Sequence, residues 1–336
     1  MGGKALKTVN TRRYSKAEIE EVVNELVPLL EIITNVYVVK SFNQKETFGD
    51  LDILVEITGD RKQTLDGIFS MITCTEKNSN SNCVSFDYND LQVDLILVPP
   101  EEFEFTKLFY NYNDFGLIVG RLAKCIGLTF GFDGLYYKVH YDGHKLGKIA
   151  LTKDPRQAMN VLGLDFDRWL QGFETMEDVF EFCATSPFFN RRIIEPSFQN
   201  SAMNRRDNLR VNYHLFVDWM NRNVDRFPAK IEKPSKEKVF ELCKKHFPLV
   251  YVEAKWATLI AKYERSKAVA EKFNGRIIME VTGLQEGAII GKIINNFKEM
   301  FSTHEAFQDF VLNINQESIN EIISIICDNI LYGKKS

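Results

Sequence analysis

The sequence predicts an α+β protein in which a mixed sheet with helices on one face is followed by a mainly helical C-terminal region. Three observations carry this expectation. Short apolar runs rich in Val, Ile and Leu alternate with stretches of helical periodicity up to about residue 100. A Gly- and Tyr-rich stretch at 127–148 then reads as short strands and turns, and from Ser235 onward the apolar residues recur at helical spacing.

Taken in order, Ser15-Lys16-Ala17-Glu18 has the form of a capping box. It opens a helix to about Glu31, with Ile19, Val22, Val23, Leu26 and Leu30 on one face. Residues 35–40 read as a strand, 41–48 as a turn with a short helix, and 50–55 as a second strand. A helix is expected over 63–74 and a polar loop over 77–82. A hairpin of 84–88 with 91–98 turns at Asn89-Asp90, and Pro99-Pro100 ends the sheet. Helices follow at 102–108 and 115–125, then a small helical module at 155–162 and 176–184, and an amphipathic helix at 208–224. After a connector at 227–234, helices at 236–246, 252–273, 288–301 and 316–331 frame the C-terminal part. The expected division is 1–125, 126–186 and 187–336.

At 336 residues, 45% hydrophobic and 26% charged, the chain has room for two or three compact units. A net charge of −4 argues against non-specific coating of nucleic acid and leaves a local basic groove open. The six cysteines form no C-x-x-C pair and have no His at zinc-finger spacing, which fits reduced packing thiols in an intracellular, cytoplasmic protein. No apolar stretch has the length of a membrane span, and the N-terminal residues have no signal-peptide core, so no membrane partner is expected.

The chemistry concentrates at Gly49-Asp50-Leu51-Asp52. Side chains on a strand alternate between faces, so Asp50 and Asp52 point the same way. Asp94 interrupts the apolar run 91–98, where an unpaired charge would be costly to bury. If the two strands pair, three carboxylates meet. That is the donor set for hard divalent cations, two Mg²⁺ or Mn²⁺ ions that activate a hydroxyl and stabilise a leaving oxygen in phosphoryl transfer. The bland reading of Asp-x-Asp, a solvated edge strand, fits poorly with the apolar context.

These strands resemble the catalytic palm of the DNA polymerase β superfamily of nucleotidyltransferases, especially its family X branch. Residues 41–55 look like the family's G-S-x-R-R-G turn followed by its G-D-x-D strand, and 92–99 look like its third-carboxylate strand. Residues 121–128 leading to Gly134-Leu135-Tyr136 are similar to the passage from its nucleotide-binding helix into the thumb, and the likeness spans roughly 15–185. The resemblance implies that Asp50, Asp52 and Asp94 are catalytic metal ligands and that Ser41 binds the terminal phosphates of an NTP or dNTP. Departures are present. Lys40 stands where a glycine precedes the serine, and Asn43-Gln44 replace the paired arginines, so phosphate binding must lean on Gln44, Lys45 or other basic residues. Tyr110-Asn111-Tyr112 stands where the family carries Thr-Gly-Ser, which makes Tyr110 and Tyr112 the candidates facing the nucleotide. No helix-hairpin-helix module precedes the first strand.

Arg191, Arg192, Arg205, Arg206 and Arg210 cluster with Phe188, Phe189 and Phe198, a mixture that could grip phosphates while bases stack, or form a solvated, salt-bridged face. The turn at 282–287 entering 288–294 faintly resembles a segment of tRNA-nucleotidyl-transferring and poly(A)-adding enzymes, and such turns are also common helix caps. His140 and His144 lie in a hairpin-like stretch, where four-residue spacing does not make a metal pair. The function expected is nucleotide addition to the 3′-hydroxyl of a nucleic-acid end, RNA or tRNA-like acceptors favoured. A repair-type DNA polymerase is the runner-up, and an inactive nucleic-acid-binding module is the reading from another class.

Overall fold

Leu51, Ile53 and Val55 on one strand and Leu91, Val93, Leu95 and Leu97 on its neighbour face the same side, and covering that side organises the first half of the chain. The computed structural model describes residues 5–198, 201–229, 234–247 and 249–333. It is α+β, with a mixed sheet and a helical C-terminal region.

The chain begins with β1 (Tyr14–Ser15) and α1 (Lys16–Glu31), whose N-terminus carries the expected capping box between Ser15 and Glu18. Next come β2 (Val36–Val38), β3 (Thr47–Phe48), β4 (Asp50–Glu56), α2 (Arg61–Met71), β5 (Lys77–Ser79), β6 (Cys83–Tyr88) and β7 (Leu91–Val98). Five of these strands form one sheet in the order β2-β4-β7-β6-β5. Only the β4–β7 pair is parallel. The turn between β6 and β7 is Asn89-Asp90, both residues at positive φ (49° and 62°), the conformation that matches the twist of a two-residue hairpin. α1 and α2 cover one face through Ile19, Val22, Leu26, Leu30 and Ile68, all buried with the inward residues of β4 and β7. On the other face a smaller cluster of Leu54, Ile96 and Val98 lies under Phe103, which opens α3 (Phe103–Tyr110). That cover reaches the C-terminal ends of β4 and β7 and stops short of their N-terminal halves, where the aspartates sit.

Two expectations for this region change. Residues 41–48 contain no helix, because the N–H groups of Asn43 and Gln44 donate to the carbonyls of Phe173 (2.8 Å) and Glu174 (2.9 Å) instead of closing a helical turn. Thr47–Phe48 pairs antiparallel with Tyr14–Ser15. Residues 77–79, expected as loop, form the edge strand β5, paired Lys77 to Phe86 and Ser79 to Val84. Its polar composition is that of an exposed sheet edge.

Beyond the sheet, α4 (Phe115–Cys125) leads to the three-stranded sheet of β8 (Leu128–Gly131), β9 (Gly134–Tyr141) and β10 (His144–Thr152), in the order β10-β9-β8. α5 (Pro155–Val161), α6 (Phe166–Leu170), α7 (Met176–Ala184), α8 (Ser201–Asp207), α9 (Val211–Arg222), α10 (Lys236–His246) and α11 (Leu249–Lys272) follow. α10 has the expected bounds 236–246, and α9 and α11 match the expected 208–224 and 252–273 with shifted ends. Part of the expected connector, 230–233, lies outside the described residues.

By packing, the chain falls into two units, 1–138 with 148–252 and 139–147 with 253–336. The expected segments 1–125 and 126–186 fall in the first, apart from 139–147. In the second, α12 (Gly275–Thr282), α13 (Gly287–Glu299), α14 (His304–Asn313) and α15 (Gln316–Tyr332) close on Phe273, Ile278, Ile293, Phe297, Phe307, Val311, Ile319 and Ile323. α12 and α14 were not among the expected helices. Asn274 and Thr303 nevertheless cap them through side-chain oxygens. Gly283, in the turn singled out above, holds a left-handed conformation (φ 70°) and caps α12 through its N–H to Met279, a role glycine fills without a Cβ penalty.

One buried ion pair ties the helical part of the first unit together. Arg121 of α4, almost fully buried, donates to the Asp207 carboxylate of α8 and to the Ile193 carbonyl, and stacks over Tyr213 with its guanidinium carbon 4.6 Å from the ring centroid. Removing one partner strands the other charge in the interior. Asp207→Ala is therefore expected to cost about 3–5 kcal/mol in urea denaturation, whereas Glu177→Ala, which breaks the exposed Arg222 pair, should cost under about 1 kcal/mol.

Candidate metal and nucleotide site

Pairing β4 beside β7 in parallel places Asp52 directly across from Asp94, with Asp50 across from Gln92. Since positions two apart share a face, Asp50, Asp52 and Asp94 all point away from the α1/α2 core. All three are half-buried. Mutual repulsion and desolvation show in the protonation of Asp52 and Asp94. Asp52 is pushed up to about 8, first by loss of water and then by the charges of Asp50 and Asp94. Asp94 is also raised, mainly by burial, although hydrogen bonds from Ser85 and Gln92 pull it back.

Those two partners come from the sheet itself. The Gln92 amide, almost fully buried, donates to both Asp94 oxygens, at 2.9 and 3.1 Å. Ser85 stands opposite Asp94 in the β6–β7 register. Neither was singled out from the sequence, yet the signal was there. Gln92 shares Asp94's parity, and counting outward from a two-residue turn at Asn89-Asp90 puts Ser85 across from Asp94. Cys83 lies on the same face, its thiol pushed up to about 11 by burial and then by Asp94, so it stays a protonated packing group.

Ser41 and Lys45 stand together at one side, with Lys45 Nζ 3.2 Å from Ser41 Oγ and 4.4 Å from the Phe48 ring centroid. Burial lowers the Lys45 ammonium, and the charges of Asp50 and Asp52 act against that lowering, so this lysine is the cation facing the carboxylates. Gln44 is exposed, and what fixes it is its backbone bond to Glu174. Tyr110 packs on the carboxylate face, its phenol pushed up to about 12 by burial and then by Asp52. Tyr112 is buried, with its ring edge-on to Trp169 and Phe173.

The five arginines sit on three segments that meet at Arg121, which donates to the Ile193 carbonyl and the Asp207 carboxylate and stacks over Tyr213. Arg191 and Arg192 lie in the 3₁₀ turn Arg191–Ile194, where Arg191 Nε is buried without a hydrogen-bond partner. Arg205 and Arg206 are exposed on α8. Phe188 and Phe189 immediately precede the turn, and the Phe198 side chain is outside the described set. Arg210 forms an ion pair with Asp114, whose charge reaches Lys45.

An oxygen-only donor set on one face of two paired strands fits a hard divalent cation. Among the described residues no three His, Cys, Asp or Glu side chains are preformed around a single ion position, so the carboxylates would have to draw together on a bound cation. A 220 Å³ cavity elsewhere, lined by Phe273, Ile294 and Phe307 in the second unit, carries none of these groups.

Comparison with protein-family models and with curated proteins returns no match for this chain.

The sign of the pH effect follows from Asp52. Its folded carboxyl holds a proton up to about pH 8 while the unfolded one releases it near the ordinary aspartate value of 3.8. Stability from this group is therefore lost as pH rises between those values. In chelator, the urea midpoint of the wild type should fall relative to Asp52→Asn between pH 5 and 8. Added Mn²⁺ should raise it more at pH 8 than at pH 5. Parallel pH curves for the two proteins would contradict this arrangement.

Proposed function

We propose that this protein is a metal-dependent nucleotidyltransferase that adds nucleotides from NTPs to the 3′-hydroxyl of a nucleic-acid end, with release of pyrophosphate. The observation that carries this reading is the convergence of Asp50, Asp52 and Asp94 on one face of two parallel strands, beside Ser41 and Lys45. The order helix, strand, turn, Asp-x-Asp strand, then a strand with a third carboxylate also agrees with the resemblance to the polymerase β superfamily.

Each residue then has a task. Asp50 and Asp52 would hold both ions, and Asp94 the one nearer the attacking hydroxyl. Two Mg²⁺ ions, when bound, supply charge neutralisation for the attacking and leaving oxygens of an in-line displacement. Ser41 offers a hydroxyl donor, and Lys45 a cation for the nucleotide's terminal phosphates. Tyr110 borders the same face and excludes water beside Asp52. Arg205 and Arg206 on α8 and Arg210 near Asp114 give an acceptor backbone positive charge to follow, with RNA or a tRNA-like end favoured over DNA.

The test is extension of labelled single-stranded RNA, tRNA and primed DNA with each NTP or dNTP and Mg²⁺ or Mn²⁺. RNA or tRNA extension that drops at least about 100-fold in Asp94→Ala is the expected result. Extension of templated DNA alone would replace the acceptor assignment with a repair-type polymerase. Metal binding without incorporation on any acceptor would leave a nucleic-acid-binding module.

A further inference from the structure

Residues 5–13, which precede β1, have no secondary structure of their own, yet their backbone is tied down at defined points within the first unit. The Ala5 N–H donates to Gln92 Oε1 at 2.8 Å, and the Ala5 carbonyl accepts from Asn78 Nδ2 at 2.9 Å. The N–H groups of Lys7, Thr8 and Val9 all donate to the Glu76 carboxylate, at 2.8, 2.7 and 3.1 Å, and the Thr8 hydroxyl adds a fourth donor at 2.6 Å. Arg12 N–H donates to the Asp90 carbonyl at 2.9 Å, at the β6–β7 turn. Four donors converging on one carboxylate hold Glu76 charged, at about 2.

The contact at Gln92 has a consequence for the site. An amide side chain has one accepting end and one donating end. Ala5 N–H requires the oxygen, so the NH₂ group is left to face Asp94, where it meets both carboxylate oxygens. Turned the other way, the amide would set an oxygen against the carboxylate and an NH₂ against the Ala5 N–H, two repulsive contacts in a nearly inaccessible position.

We propose that the segment Ala5–Arg12 is a strap that fixes the orientation of Gln92, and that Gln92 is thereby the positioning residue that holds Asp94 for cation binding. This rests on the reading of Asp94 as a cation ligand. Outer partners of a metal-binding carboxylate typically change affinity 10- to 100-fold when removed, and a partner one step further out should act through them. The clip at Glu76 places control of the carboxylate site at an exposed surface.

The experiment measures Mn²⁺ dissociation constants by calorimetry on the full chain, with thermal unfolding of each variant beside them. The variants are Asp94→Ala, Gln92→Met, Ala5→Pro, which deletes the N–H, Glu76→Gln, and the Ala5→Pro/Gln92→Met double variant. The expected result is weakening of about tenfold in Gln92→Met. Ala5→Pro and Glu76→Gln should each weaken binding by a smaller factor, and the double variant should bind no worse than Gln92→Met alone, because both changes remove one interaction chain. Hydrogen exchange at residues 5–9 should quicken in Glu76→Gln. Mn²⁺ binding that is lost in Asp94→Ala but unmoved by Ala5→Pro and Glu76→Gln overturns the strap while sparing the site. Factors that multiply in the double variant overturn the coupling through Gln92. Wild-type protein that binds no Mn²⁺, or that binds it equally after Asp94→Ala, overturns the reading of the site and the strap's role with it. If Gln92→Met does not fold, Ala5→Pro and Glu76→Gln, altered at the surface of the first unit, decide the matter.

Discussion

Three carboxyl groups held on one face of two adjacent strands resist being charged together, and the neighbourhood of this sheet is arranged around that constraint. The carboxylates cannot move apart, because the opposite faces of the same strands are locked into the α1/α2 core. Leu51, Ile53, Val93 and Leu95 are inaccessible or nearly so, and a register slip of one residue would turn every one of them outward. The apolar pattern therefore fixes the polar one. What stands near the carboxylates offsets the charge by hydrogen bonds from Ser85 and Gln92 and by the Lys45 ammonium, and still leaves Asp52 raised to about 8. Under the proposed function a divalent cation would supply the remaining positive charge.

The apolar cover on the carboxylate face is partial. Phe103 seals Leu54, Ile96 and Val98 at one end, while toward the other end Asp50, Asp52 and Asp94 stay half-buried and Gln92 is almost fully buried. Under the proposed function the ligand at these strands is a nucleotide with its phosphates toward Lys45. The helical part of the first unit is tied by the buried Arg121–Asp207 pair, which draws α4, just after Tyr110 and Tyr112, toward α8 with its exposed arginines.

The sheet and its carboxylates were legible because strand parity is strict and local. Asp50 and Asp52 share a face by counting alone, and Asn89-Asp90 announced the hairpin that sets Asp94. The pairing of β4 with β7 was conditional in the sequence, since a parallel partner arrives more than thirty residues later through another hairpin. Other features depended on contacts between distant segments. Residues 41–48 give their N–H groups to residues 173–174, so helical propensity there had no say. Lys77–Ser79 reads as loop by composition and is strand because β6 offers it an edge. The Arg121–Asp207 pair joins residues 86 apart, and a lone Arg in an apolar helix carries no sign of its partner. Ser85 and Gln92 could have been found by carrying the register argument one step further.

Whether β4 and β7 hold the cation is read most directly from a crystal of the protein grown with Mn²⁺ and a non-hydrolysable nucleotide, by anomalous scattering. The arrangement described here predicts a peak about 2.1 Å from oxygens of Asp50, Asp52 and Asp94, with the nucleotide's phosphates toward Ser41 and Lys45. An ordered nucleotide and cation bound away from β4 and β7, with the three carboxylates unligated, would contradict it.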